Sequence, residues 1–165
     1  MHVLPDIKPT KENKEEVYIN LYEYAKGLLD PSLPLVTNMS NFVALIHYTF
    51  KYHWTGFYMV NEEESDLILY PFQGPVACTK IGKGKGVCGT AWERSATIIV
   101  PDVDAFPGHI ACSSLSRSEI VVPLSDDKGK TVGVLDIDSA ELNTFDEQDQ
   151  KGLERLLSLF SEVVY

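Results

Sequence analysis

The chain has 165 residues, a formal net charge of −10 and three cysteines. That is the length of one domain, able to bury roughly two-thirds of the surface its unfolded form exposes, so it needs no disulfide framework to fold. The acidic balance argues against nucleic acid as a partner, because phosphate recognition needs clustered Lys and Arg. No apolar run is long enough to span a bilayer, and the polar start MHVLPDIKPTKENKEE lacks the core of a secretory signal. No membrane association is expected, and a reducing, cytoplasmic setting follows, in which disulfides are catalytic or sensory.

Residues 1–10, with Pro5 and Pro9, read as a tail before a domain over 11–165. From Lys11, Val17, Leu21, Tyr24, Ala25 and Leu28 fall on one helical face, and Asp30-Pro31 stops the helix. A second helix is expected from near Ser40, with Phe42, Leu45, Ile46 and Thr49 inward. Trp54–Val60 and Leu67–Phe72 flank the polar turn NEEESD and predict an antiparallel hairpin. Gln73–Gly89 reads as a long glycine-rich loop leading into a short helix, CGTAWER. A strand at Thr97–Val100 is followed by a second long loop, Asp102–Ser118. Glu119–Leu124 and Thr131–Ile137 are strands around the turn SDDKGK. The last helix carries a capping-box pattern at Thr144 and Glu147, then an apolar stripe of Leu153, Leu156, Leu157, Phe160 and Val164. Hairpin strands with helices at both ends give an α+β domain, its terminal helices packed on one face of an antiparallel sheet.

Chemistry concentrates in the two long loops, which hold Cys78, Cys88 and Cys112 in glycine- or proline-marked contexts that could leave sulfur exposed. Long loops in compact domains are usually functional, and an odd cysteine count excludes complete pairing within one chain. The gaps do not match the close pairs of structural zinc, with only His109 near as a fourth ligand, so no metal site is expected. Gly84-Lys-Gly86-Val-Cys-Gly89 matches a dinucleotide fingerprint by letter, but the short helix and hairpin strands around it lack the βαβ context. Lys80, Lys83 and Lys85 could hold an anion or lower a thiol pKa, or could simply be solvated. Asp136 and Asp138 alternate with Leu135 and Ile137, so both acids leave the strand on one face. With Glu119 near the Cys112 loop, they form a candidate cluster in which one carboxyl keeps its proton. Trp54 and Tyr58 also share a face, as core or as a pocket wall.

The runs GPVACTKIGKGKGVCGTAW, VPDVDAFPGHIACSS, SEIVVPL and GVLDIDSAELNTFDEQD, with WTGFY upstream, closely resemble the free methionine-R-sulfoxide reductases, single-domain enzymes of the GAF fold. The likeness covers nearly all of residues 40–165 and makes 11–165 a GAF-like domain. It implies reduction of free methionine-R-sulfoxide by a nucleophile at Cys112, a resolving thiol at Cys78 and an accessory thiol at Cys88. It places Glu119, Asp136 and Asp138 as pocket acids and Trp54 and Tyr58 as an aromatic wall. It implies no bound cofactor, thioredoxin as external reductant, and leaves a homodimer open. The chain departs from the family at Ser113, where an Asp commonly follows the nucleophile. A non-enzymatic GAF ligand sensor and a cysteine redox switch are the alternatives. The glycines Gly82, Gly84 and Gly86 are expected to let the 73–89 loop move over the pocket.

Overall fold

The computed structural model describes residues 8–164, so residues 1–7 of the expected tail lie outside the described residues. Helix α1 (Lys14–Leu28) buries Val17, Leu21 and Ala25 at four-residue spacing, and the backbone turns extended at Leu29, ahead of Pro31. Helix α2 (Leu35–Phe50) starts five residues before the expected Ser40, directly after Pro34 at φ −55°. Proline presets a helical φ and gives up no bond at a helix start. Ser40 lies inside the helix, its hydroxyl donating to the Val36 carbonyl.

Strands β1 (Trp54–Val60) and β2 (Asp66–Gln73) form the expected hairpin. A short strand β3 (Lys80–Gly82) interrupts the first long loop and pairs with β2. Helix α3 (Gly86–Arg94) follows, then β4 (Ile98–Val100), β5 (Ser118–Ser125) and β6 (Thr131–Ser139). The sheet order is β3-β2-β1-β6-β5-β4, with every neighbouring pair antiparallel. That geometry removes the parallel strands a dinucleotide fingerprint requires.

Helix α4 (Glu147–Leu159) is capped by Asp146, two residues after the expected Thr144. Asp146 accepts from the Gln148 and Asp149 amides, and the Asp149 side chain accepts from the Asp146 amide. The Thr144 hydroxyl instead donates to Ser139 Oγ at 2.7 Å. Tyr18 of α1 donates to Asp149 at 2.8 Å and ties the terminal helices together.

Alternation along the strands divides the interior. Phe57, Met59, Ile120, Val122, Leu135 and Ile137 face α1, α2 and α4, with Phe42, Phe57 and Phe160 in mutual ring contact. Trp54, Tyr58, Val121 and Val134 face the other way, against α3 and the loops around it. The terminal helices thus share one face, and the acids of β5 and β6 lie on the opposite one. Among the described residues no helix is long and apolar enough to cross a membrane.

Candidate active site

Strand register assembles the site. Trp54 on β1 is opposite Asp138 on β6, which is opposite Glu119 on β5. Two residues along, Gly56 is opposite Asp136, which is opposite Val121. Two adjacent cross-strand rows on the α3 face therefore carry the aromatic and all three acids. Gly56 is what lets the indole lie there, because a Cβ at that position would stand 2.5 Å from both Trp54 Cη2 and Phe72 Cβ. The Trp54 ring stacks between Tyr58 and Phe72, at 5.9 and 5.3 Å between centroids.

Trp54 and Tyr58 also hold the loop that carries Cys78. Trp54 Nε1 donates to the Pro75 carbonyl at 3.0 Å, and the Tyr58 hydroxyl donates to the Cys78 carbonyl at 2.8 Å. Burial, followed by the nearby Asp136, pushes the Tyr58 phenol far above its ordinary range, so it stays a donor. Gly74, at φ +126°, brings the loop against the indole, where a Cβ would lie 2.7 Å from Trp54 Cδ1.

The three acids are buried among like charges. Burial raises Glu119, and Asp138 raises it further. Burial and then Glu119 raise Asp136 well above the ordinary Asp value. Asp138 is raised by burial and then by Asp136, while the Ser116 hydroxyl and His109 act in the opposite direction. Asp136 Oδ1 is enclosed and has no hydrogen-bond partner. Desolvation without a counter-ion favours the neutral acid, so this cluster retains protons where exposed carboxyls have lost theirs.

Cys78 and Cys112, 34 residues apart in sequence, form a disulfide with Cα atoms 5.4 Å apart. Cys88 does not occupy an open loop as expected. It lies on the first turn of α3, buried and unpaired. Burial first, then Asp136 and Glu119, pushes its thiol well above the ordinary value. Cys112, the three acids, Trp54, Tyr58 and Cys88 line one cavity of about 30 Å³. A water needs about 10–15 Å³ of such space, so the disulfide state has room for two or three waters and none for an amino acid.

The matches to known proteins cover this whole arrangement. Residues 48–164 match the GAF domain. "GAF domain-containing protein A" of Dictyostelium discoideum is 53% identical over 93% of this chain and 96% of its own length. The free methionine-R-sulfoxide reductase of Saccharomyces cerevisiae is 47% identical over 91% of this chain and 87% of its own. A free methionine-R-sulfoxide reductase of Neisseria meningitidis, solved in complex with its substrate, superposes with a TM-score of 0.90 at 44% identity, covering 98% of this chain and 95% of that one. This chain belongs to the free methionine-R-sulfoxide reductases, a GAF-domain family.

As a free methionine-R-sulfoxide reductase, the chain is an oxidoreductase, and three of its site neighbours escaped the reading of the sequence. His109, read there only as a candidate zinc ligand, places Nε2 3.5 Å from Glu119 Oε2. Ser116 contacts Asp138. His53 Nε2 lies 2.9 Å from Ser113 Oγ, which tethers the residue after Cys112 to the base of β1. Each lies within four residues of a named site residue in sequence, the one signal available. The loop lysines divide by role. Lys80 pairs with Asp66, Lys83 covers the Trp92 ring, and Lys85 alone reaches the cavity. Gly84 and Gly86 have positive φ at the turn into α3, whereas Gly82 is a strand residue held by pairing with Asp66. In this reductase, pairing at 80–82 anchors the far end of the loop expected to move.

Proposed function

We propose that this chain reduces free L-methionine-(R)-S-oxide to L-methionine through Cys112, with Cys78 resolving the oxidised sulfur. The observation that carries this reading is the Cys78–Cys112 disulfide, set over a floor of buried carboxyl groups with raised pKa values. A sulfoxide needs both a nucleophile at sulfur and a proton for its oxygen, and the pocket offers them side by side.

In the reduced enzyme, Cys112 thiolate attacks the sulfoxide sulfur while a protonated acid, Glu119 or one of Asp136 and Asp138, delivers a proton to the oxygen. The S–O bond breaks, methionine forms with two fewer oxidising equivalents, and the hydroxyl ends on Cys112 as a sulfenic acid. Cys78 thiol then attacks that sulfur, and water leaves as the disulfide forms. An external dithiol protein, thioredoxin by its chemistry, returns two electrons and two protons by exchange. Recycling of this kind suits a reducing, cytoplasmic compartment.

Selection of the free amino acid follows from charge. The substrate ammonium supplies the counter-ion that Asp136 Oδ1 lacks, and its carboxylate meets loop amides and Lys85. A peptide-bound sulfoxide brings neither charge. Trp54 packs against the sulfoxide methyl and sets the epimer. The test is a thioredoxin-coupled assay of Cys112→Ser on the R epimer. Turnover should vanish with the fold intact, and near-normal turnover would refute the assignment.

A further inference from the structure

Cys88 poses a problem the disulfide does not answer. It is the one cysteine outside the redox pair, buried on the first turn of α3 with its sulfur aimed at two carboxyls. Its Sγ, a Glu119 oxygen and an Asp136 oxygen all lie within 4.8 Å of one another. Asp136, only 7% exposed, adds an oxygen without any hydrogen-bond partner. A thiol and two carboxyls packed this closely, one oxygen unpartnered, are a donor set suited to a cation.

We propose that Cys88, Glu119 and Asp136 form a binding site for a thiophilic divalent cation, zinc by its chemistry, whose occupation excludes the sulfoxide substrate. The donor set supports this choice. Zinc accepts one thiolate and two carboxylate oxygens at about 2.0–2.3 Å, and its tetrahedral ligands then stand roughly 3.3–3.8 Å apart. Calcium and magnesium are disfavoured, since both prefer oxygen and take no thiolate. All three ligands line the cavity, which leaves space on that side for water as a fourth ligand. His109, 3.5 Å from Glu119 Oε2, is placed to orient that ligand from outside the site. The three ligands come from α3, β5 and β6, so the loop cysteine spacing that argues against zinc in the sequence is irrelevant to this site.

The exclusion of substrate rests on the reductase reading, because Glu119 and Asp136 are there the groups that meet the sulfoxide and the ammonium. The metal is an inhibitor of that chemistry and takes no part in it. Binding itself is independent of turnover and is measured without substrate.

Cobalt(II) titration of the full-length Cys78→Ser/Cys112→Ser protein provides the test, since Cys88 is then the only thiol and no disulfide forms. The expected result is a thiolate-to-cobalt charge-transfer band that saturates at about one equivalent and is displaced by zinc. Adding Cys88→Ser should abolish the band, and the near-isosteric Glu119→Gln and Asp136→Asn should each weaken binding about tenfold or more. Circular dichroism of each variant confirms the fold. No band in the folded double variant would overturn the proposal, as would a band indifferent to both carboxyl substitutions. With binding established, zinc should compete with methionine-R-sulfoxide. A failure of competition alone would count against the assigned substrate contacts, while absence of cobalt binding would leave the reductase reading standing.

Discussion

His53 Nε2 and Ser113 Oγ lie 2.9 Å apart, joining the residue just before β1 to the residue that follows Cys112. His53 is fixed at its other end, where its backbone N–H donates to the Asp138 carbonyl at 3.0 Å. The Cys112 loop is therefore tethered to the same cross-strand row that carries Asp138 and Trp54.

Loss of this tether should misplace Cys112 without unfolding the domain. A neutral hydrogen bond contributes about 0.5–1.5 kcal/mol, so His53→Ala and Ser113→Ala should each lower kcat/KM about 2–10-fold. The double variant should be no worse than the poorer single one, because both remove the same contact. Additive losses would mean that the two residues act separately.

The buried acids should destabilise the fold at neutral pH. Asp136 has a folded pKa raised well above its ordinary value of 3.8, so the folded state binds a proton that the unfolded chain has released. Stability is then fullest below about pH 4 and declines as pH rises from there through the raised folded value. Asp136→Asn removes that proton linkage while keeping a polar group of the same shape. At pH 7 it should raise Tm by on the order of 2–4 °C, taking a gain of about 1 kcal/mol, and the gain should shrink toward zero at pH 4. Its activity should fall at both pH values. An unchanged Tm at pH 7 would mean that the cluster carries no such cost.

Gly56 should be as sensitive as a residue with a side chain in the site. An added Cβ would meet Trp54 Cη2 and Phe72 Cβ at 2.5 Å, well inside contact distance and in a packed layer. Gly56→Ala should cost about 1–3 kcal/mol by overpacking and should raise KM by displacing the indole. Denaturant unfolding and steady-state kinetics read the two effects separately.

The sequence revealed local features better than those set by strand register. Alternation placed Asp136 with Asp138 and Trp54 with Tyr58, since a strand's period of two needs no knowledge of its neighbours. It could not place Glu119 opposite Asp138, or Gly56 opposite Asp136, because register is a property of strand pairs. Cys88 was read as a loop thiol because glycines surround it, yet these glycines make the tight turn into α3 and leave the sulfur buried. The cap of α4 lies at Asp146 and not Thr144, because Asp146 and Asp149 close a reciprocal capping box that the Thr144–Glu147 pattern does not form. The family resemblance lay in short continuous runs and so was legible, whereas the pairing of Cys78 with Cys112 across 34 residues came only with that resemblance.

Substrate should bind only after the disulfide opens. The cavity of the disulfide state, about 30 Å³, holds no amino acid. Calorimetry should show methionine binding to the reduced protein and to Cys112→Ser, with no measurable heat from the disulfide form. Hydrogen exchange should report opening in residues 73–79, with 80–82 protected in both states by pairing to β2. Equal affinity for both redox states would require a second route into the pocket.

The most direct measurement is a single turnover of fully reduced protein with the separated epimers of free methionine sulfoxide, followed by peptide mapping of the cysteines. The R epimer should yield about one methionine per chain and one disulfide, joining Cys78 to Cys112, with Cys88 still alkylatable after unfolding. The S epimer should yield neither. Equal release from both epimers, or a substrate-induced disulfide through Cys88, would contradict the account.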